Sequence, residues 1–364
     1  MLRSNTGRFR FRPEQGVILA SPRIHYGERK EALSEYWVGA PTAVRWDDKI
    51  LLSYRIRNPR GSVDEEGNDM ERGCETFLCE SQDGFRFEEV GHLHKSFFQA
   101  SSVEKCACLP LRDGQLAWFV SYASMREDES RGMWCIDRIL ASDPQYLFRD
   151  DVIPERVLRP EFCPALEDGW VVTGVKDPFF LMDENGNYFF AGKYHMIISF
   201  SKARGESCTD LHGDGDCYNS GRILSCAAYL TSEDGVHFEW QDEILKPLQG
   251  SWFGYACRLT TALKEDSMRE SWWGVVDGAA SVSQNYHERA TLISGASPKA
   301  WNMPSEEGPC LCPGFDSRSS FGGESGVRYV SALRHLGRLL LYYEFTCHNG
   351  SHDLRVAEAE INPC

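Results

Sequence analysis

One pattern recurs along almost the whole chain and limits what it can fold into. An apolar run, a polar turn and a second apolar run return at a period of about 70 residues. The second runs are ILLSYR with Tyr54, LAWFVSYA with Tyr122, YFFAGKYH with Tyr194, WWGVVDG with Val276 and RLLLYYEF with Tyr343. Each has a partner run before it: WVGAPTAV, SSVEKCACL, VKDPFFLM, YACRLTTAL and VRYVSAL. A third run follows each, and two of these end in near-identical text, CESQDGFRFEEV at 79–90 and LTSEDGVHFEWQ at 230–241. The runs are short, rich in aromatic and β-branched residues, and bounded by Asp, Asn and Gly, which is strand chemistry. No stretch longer than about ten residues carries helical periodicity.

Repeated units of three or four strands predict an all-β, five-bladed β-propeller. The blades are expected at roughly 35–95, 100–155, 172–245, 252–305 and 322–364 of a single domain spanning 1–364. The last repeat lacks a clear fourth strand, and residues 14–22 are expected to complete it and close the ring.

Blade connectivity then points to a site. The first strand of each blade lines the central channel, and the loop after its second strand lies on the face where the first strand starts. Aligning the repeats on their second-strand residues brings together Ala40-Pro41, Glu104-Lys105, Lys176-Asp177, Cys257-Arg258 and the stretch from Glu324 to Arg328. Asp177, Glu104 and Glu324 are the candidate catalytic carboxylates. Asp277 and Glu344 end second strands and face the same mouth. His195 is read as a rim residue that hydrogen-bonds sugar hydroxyls, and His352 as a contact from the fifth loop. Arg55, Arg57 and Arg60 form a basic cluster, with Arg55 and Arg57 on one strand face, and Arg57 and Arg60 fit an anionic substrate group or phosphate. Lys176 and Arg258 join the binding set. Trp252, Phe253, Trp272, Trp273 and Tyr286 have the chemistry to stack on sugar rings, or to pack a core.

Bulk properties narrow the partners. The 364 residues carry a net charge of −15, which opposes nucleic-acid and anionic-membrane binding. No apolar window approaches the roughly 20 residues needed to cross a bilayer. The first residues have no apolar core like that of a signal peptide, so a cytoplasmic protein is expected. Its 14 cysteines include no C-x-x-C pair and read as reduced, buried thiols, with Cys208 and Cys217 the best disulfide candidates. No cofactor is expected. Asp210, Asp214 and Asp216 offer the one place for a calcium ion, although their spacing is not that of an EF-hand. The oligomeric state stays open.

Several of these motifs resemble the five-bladed propeller glycosidases of families 43, 32, 68, 117 and 130. KDPFF is similar to the Asp-Pro that begins inner strands in those enzymes, and the S-x-D-G-x-x-F boxes, Ser81 to Phe87 and Ser232 to Phe238, are similar to a box in their outer strands. LLSYRIRNPRG and WWGVVDGAASVSQNYHERATL resemble first and fourth blades. The resemblance implies glycoside cleavage by paired carboxylates, one giving a proton and one activating water or attacking. Asp177 matches the family-43 aspartate of the third blade. Ala40 stands where the first-blade aspartate would be, Arg258 has no glutamate beside it, and Glu104-Lys105-Cys106 lacks the aspartate of family 130. A glycoside hydrolase is the leading expectation. A phosphorylase holding phosphate on arginines and a non-catalytic carbohydrate-binding propeller are the alternatives.

Overall fold

The computed structural model describes residues 8–22, 35–205, 216–265, 271–311 and 326–362. Its elements are β-strands joined by turns and short 3-10 segments. Two short strands, β1 (Arg8–Arg10) and β2 (Val17–Ala20), come first. An antiparallel group follows: β3 (Trp37–Trp46), β4 (Lys49–Asn58), β5 (Arg72–Ser81) and β6 (Glu88–His94). The next is β7 (Ala100–Pro110), β8 (Leu116–Ser124), β9 (Trp134–Ala141) and β10 (Glu155–Leu158). The third is β11 (Trp170–Phe180), β12 (Phe189–Phe190), β13 (Lys193–Arg204), β14 (Leu224–Ser232) and β15 (Glu239–Leu245). The fourth is β16 (Ala256–Lys264), β17 (Trp272–Ala279), β18 (Arg289–Ser297) and β19 (Ala300–Trp301). The last is β20 (Val327–His335), β21 (Arg338–Thr346) and β22 (His352–Asn362). Among the described residues no helix is long and apolar enough to cross a membrane.

β1 and β2 both pair with β22, far along the chain, through registers such as Phe9 with Ile361 and Val17 with Val356. The first strands touch in sequence: β3 with β7, β7 with β11, β11 with β16, β16 with β20, and β20 with β3. Single parallel bridges, His352 to Trp37 and Ser225 to Ala256, join neighbouring groups.

The repeated box has a local cause. Ser81 Oγ accepts from Gly84 N–H at 2.9 Å, and Asp83 Oδ1 accepts from the N–H groups of Phe85 and Arg86. Ser232 and Asp234 make the same bonds to Gly235, Val236 and His237. Gly84 and Gly235 sit at φ of 80° and 75°, a region glycine enters without strain. The turn then delivers a phenylalanine onto apolar neighbours. Phe87 meets Tyr342 of the last group, and Phe238 meets Phe119 of the second.

One expected strand needs correcting. YFFAGKYH is not a single strand. Ala191 and Gly192, at φ of 49° and 79°, make a tight hairpin turn between β12 and β13. Two successive residues at positive φ match the right-handed twist of a hairpin. Tyr194 and His195 therefore open β13 rather than close a strand, and the sequence alignment of this repeat on Tyr194 is out of step.

Candidate active site

Every first strand breaks its ladder at a matching depth. Register shifts fall between Gly39 and Thr42, Val103 and Cys106, Lys176 and Phe179, Leu259 and Thr261, and Arg328 and Ser331. Such bulges re-aim side chains, and they are common beside functional sites. The displaced residues include Ala40, Glu104, Asp177, Thr260 and Tyr329. Ala40, Asp177 and Tyr329 have positive φ, at 53°, 57° and 52°. The sequence alignment thus finds the matching residue in the first three groups. In the fourth and fifth, Arg258 and Arg328 precede the bulge instead of forming it.

Beside these bulges lies a narrow, largely filled cleft with about 10 Å³ of free space. Arg55, Arg57, Glu104, Lys176, Arg258 and Arg328 line it together with Glu288, Asp216 and the rings of Trp134, Tyr218, Tyr286 and Tyr329. A chain of ion pairs runs through its wall. Arg55 gives Nε and Nη2 to Glu104 Oε1, each at 2.7 Å, and its Nη2 lies 3.5 Å from Glu344 Oε2. Arg328 gives Nε at 2.7 Å to Glu344 and Nη1 at 2.6 Å to Glu288. Arg258 completes the chain with Nη1 at 3.0 Å from Glu288, Nε on Ser225 and Nη2 on Asn285. Burial alone would raise the Glu104 and Glu288 carboxyls, but the neighbouring cations outweigh it and lower each to about 2. Both are permanently charged partners. Glu344 is likewise held well below the usual carboxylate range against its burial.

Two carboxylates are set differently, and neither lines the cleft directly. Asp177 is 4% exposed, yet both its oxygens lack a hydrogen-bond partner. Among the described residues its one ion-pair contact is Lys176 Nζ, 3.6 Å from Oδ2. Asp277 Oδ2 accepts from the Tyr329 backbone N–H at 2.6 Å, while Oδ1 is buried without a partner. Burial pushes the Asp277 carboxyl up to about 7, against the pull of that N–H. Lys105 gives its Nζ to the Thr260 carbonyl at 2.7 Å, and burial lowers its amine to about 8 despite attraction from Asp177 and Asp277. The site therefore holds carboxyls lowered by their cation partners, one carboxyl raised to about 7, and one buried aspartate without hydrogen bonds among the described residues.

Other expected positions are corrected. His195 is absent from the cleft. Its Nδ1 meets Tyr229 Oη at 2.6 Å, its Nε2 meets the Phe190 carbonyl at 3.0 Å, and its ring stacks on Phe190. The hairpin turn explains this, since His195 starts β13 and the mouth lies at the far end of that strand. His352 is fully buried, stacked on Trp37 and hydrogen-bonded to Glu344, so it positions that carboxylate rather than meeting a ligand. Burial lowers its imidazole to about 4, which leaves it neutral. Glu344 is fully buried in the wall. Arg60 is exposed and does not line the cleft. Phe253, Trp272 and Trp273 are core residues, and Trp252 gives its Nε1 to the Ser305 carbonyl; of the aromatic candidates, Tyr286 lines the cleft.

Glu324, Cys208, Asp210 and Asp214 lie outside the described residues. Asp216 is engaged by Arg72 at 2.8 Å and Trp134 Nε1 at 3.0 Å. Among the described residues no group of three His, Cys, Asp or Glu side chains is arranged to hold a metal ion. Glu288, Tyr329, Trp134 and Tyr218 were not singled out from sequence. Glu288 had a readable signal, a carboxylate in the NYHER loop after the fourth second strand.

No protein-family model and no curated protein matches the sequence. Solved structures do match its architecture. One, of glycoside hydrolases within a family of mannoside phosphorylases and targeting β-1,2 mannosidic linkages in Candida mannan, aligns over 100% of this chain and 99% of that one, with a TM-score of 0.58 and 14% identity. A thermostable family-43 glycoside hydrolase covers 92% and 93% with a TM-score of 0.53 and 12% identity. A glycosyl hydrolase from Bacteroides ovatus covers 91% and 88% with a TM-score of 0.53 and 13% identity. The fold is shared with glycoside hydrolases. At such identities the likeness is one of architecture, and the chemistry rests on the side chains of this chain.

Proposed function

We propose that the chain is a single five-bladed β-propeller glycosidase that cleaves a glycosidic bond with carboxylates buried beside the cleft. The cyclic contacts of the first strands and the pairing of β1 and β2 with β22 support the ring, with blades at about 35–95, 100–155, 172–245, 252–305 and 322–364. One observation carries the catalytic reading. Asp177 is buried with both oxygens unpartnered on a backbone at φ 57°. A polar group buried without hydrogen bonds on a strained backbone costs stability, and such costs gather where a ligand supplies the missing contacts.

In this reading Asp177 is the carboxylate that activates water or attacks the anomeric carbon. Asp277, poised near neutrality, supplies the proton to the leaving oxygen. Glu104, fixed by Arg55, sets the local field. Buried thiols such as Cys106, Cys108 and Cys226 suit the reducing cytoplasm expected for it.

The test is Asp177→Asn, assayed on a panel of aryl glycosides and oligosaccharides. Turnover should fall about a hundred- to ten-thousand-fold while cooperative melting is unchanged. A fully active variant would remove Asp177 from the mechanism, whereas binding without turnover of any glycoside by the wild type would favour the second reading, a carbohydrate-binding propeller without catalysis. Ala40, which occupies the bulge position matching Asp177 in the first group, favours that reading. The third, a phosphorylase, draws on the cleft's cations and requires turnover that depends on added phosphate.

A further inference from the structure

The cleft is cationic in an acidic protein. Five lining side chains, Arg55, Arg57, Lys176, Arg258 and Arg328, face three lining carboxylates, Glu104, Asp216 and Glu288. Most of these charges are already matched. Arg55 is taken by Glu104 and Glu344, Arg258 by Glu288, and Arg328 by Glu288 and Glu344. Lys176 faces Asp177, and Asp216 is held by Arg72. Arg57 is left over. Its guanidinium lies against Trp37 and Tyr286, 4.8 and 4.5 Å from the two ring centres, which are 5.5 Å from each other, and has no ion-pair partner among the described residues.

A second donor is open on the same strand. Arg55 is 1% exposed, and its Nη1 is buried with no acceptor. Buried donors are almost always paired, so this one marks a place for an acceptor that the protein does not supply. With both rings on one side, the open face and edge of the Arg57 guanidinium are left for bonding. An edge of parallel N–H groups matches a planar, two-oxygen acceptor. One uncompensated cation matches one negative charge.

We propose that the saccharide recognised in this cleft is a sugar acid, with its carboxylate seated on the edge of Arg57 and on Nη1 of Arg55. This rests on the glycosidase reading above and adds the class of substrate. Tyr286, the half-buried ring beside Arg57 that lines the cleft, provides a surface for the pyranose ring at the open mouth, and the carboxylate fixes its orientation.

The experiment titrates the protein calorimetrically with sodium D-glucuronate and D-galacturonate, then with D-glucose and D-galactose, and separately with inorganic phosphate, all at one ionic strength. At least one uronate should bind tenfold or more tightly than its neutral parent. Arg57→Gln should abolish that preference, and Arg57→Lys, which keeps the charge but not the planar fork, should retain part of it. Melting curves of both variants establish that they are folded. Equal binding of acid and neutral sugars, or a preference that survives Arg57→Gln, overturns the inference and leaves the glycosidase reading standing. Binding of phosphate at Arg57 without any uronate binding also overturns it, in favour of a phosphate site. If the wild-type protein neither binds nor cleaves any saccharide, acid or neutral, both readings fail together.

Discussion

Asp277 accepts one backbone N–H and leaves its other oxygen buried and bare, so its protonated form is favoured in the folded chain. The consequence for stability has a definite sign. The carboxyl is raised from 3.8 to about 7, so the folded state holds this proton more tightly than the unfolded state between those values. Its contribution therefore falls as pH rises from about 4 through 7. Asp277→Asn keeps the acceptor for Tyr329 and removes the buried charge. The variant should match wild type near pH 4 and be the more stable at pH 8, by an amount on the order of a few kcal/mol, as read by urea unfolding at both values. A pH-independent difference would mean that Asp277 is already ionised in the folded protein. If it is the proton donor, the same variant also loses the alkaline limb of the pH–rate profile. Gly39 makes a contrasting test, because a Cβ there would lie 2.1 Å from Glu344 Oε2. Gly39→Ala should cost roughly 1–3 kcal/mol, and an unchanged urea midpoint would show that the Glu344 wall yields. At this scale the sequence is informative where a repeat is regular. Asp177 and Glu104 share a bulge position because their repeats align, whereas Tyr329 takes that position one residue beyond Arg328, and no residue-type signal marks the shift.

The hairpin between β12 and β13 explains why His195 was misplaced. Four of the eight residues in YFFAGKYH are strand-favouring aromatics, and the lone Gly192 is a weak breaker when read alone. Ala191 supplies the other half of the turn at φ 49°, a conformation that alanine adopts only at a cost. Asn is far better tolerated at that position of such a turn. Ala191→Asn should therefore raise stability by about 0.5–1 kcal/mol, measured by chemical denaturation. Both turn residues lie in a solvent-facing loop tip, so no packing loss complicates the result. A destabilised variant would argue against the turn geometry. The S-x-D-G-x-x-F boxes were the opposite case. Their text was readable because each residue has one local duty: Ser and Asp close the turn, Gly takes positive φ, and Phe packs on a neighbouring group. The bulges of the first strands carry no comparable text, since Ala-Pro, Glu-Lys, Asp-Pro and Tyr-Val fill four of them, and only pairing reveals that they correspond.

For the molecule as a whole, the join between the two ends of the chain is the point at which stability and site meet. The group of β20, β21 and β22 would end in an open edge if β1 and β2 were absent. Those strands also carry Phe11 and Pro13 into contact with Tyr343: the rings of Phe11 and Tyr343 lie 5.1 Å apart, and Tyr343 Oη donates to the Pro13 carbonyl at 2.6 Å. Tyr343 is fully buried and neighbours Glu344, whose carboxylate anchors both Arg55 and Arg328. β22 also bridges to β3 through His352 and Trp37, and Trp37 is one of the two rings that hold Arg57. Removing residues 1–20 should therefore do two things. It should cost roughly 2–5 kcal/mol from the exposed aromatic and strand surfaces, and it should expose an unpaired edge that promotes association between molecules. Thermal melting and light scattering read the two effects separately. A peptide of residues 8–22 added in trans should restore melting by pairing with β22, as strand addition does elsewhere. Since none of residues 8–20 lines the cleft, any remaining monomer should keep its ligand preference at low temperature and lose it on warming before the wild type does. A truncated chain that melts like the full protein would mean that the ends do not hold the fold together, and the closed-ring reading would fall with it.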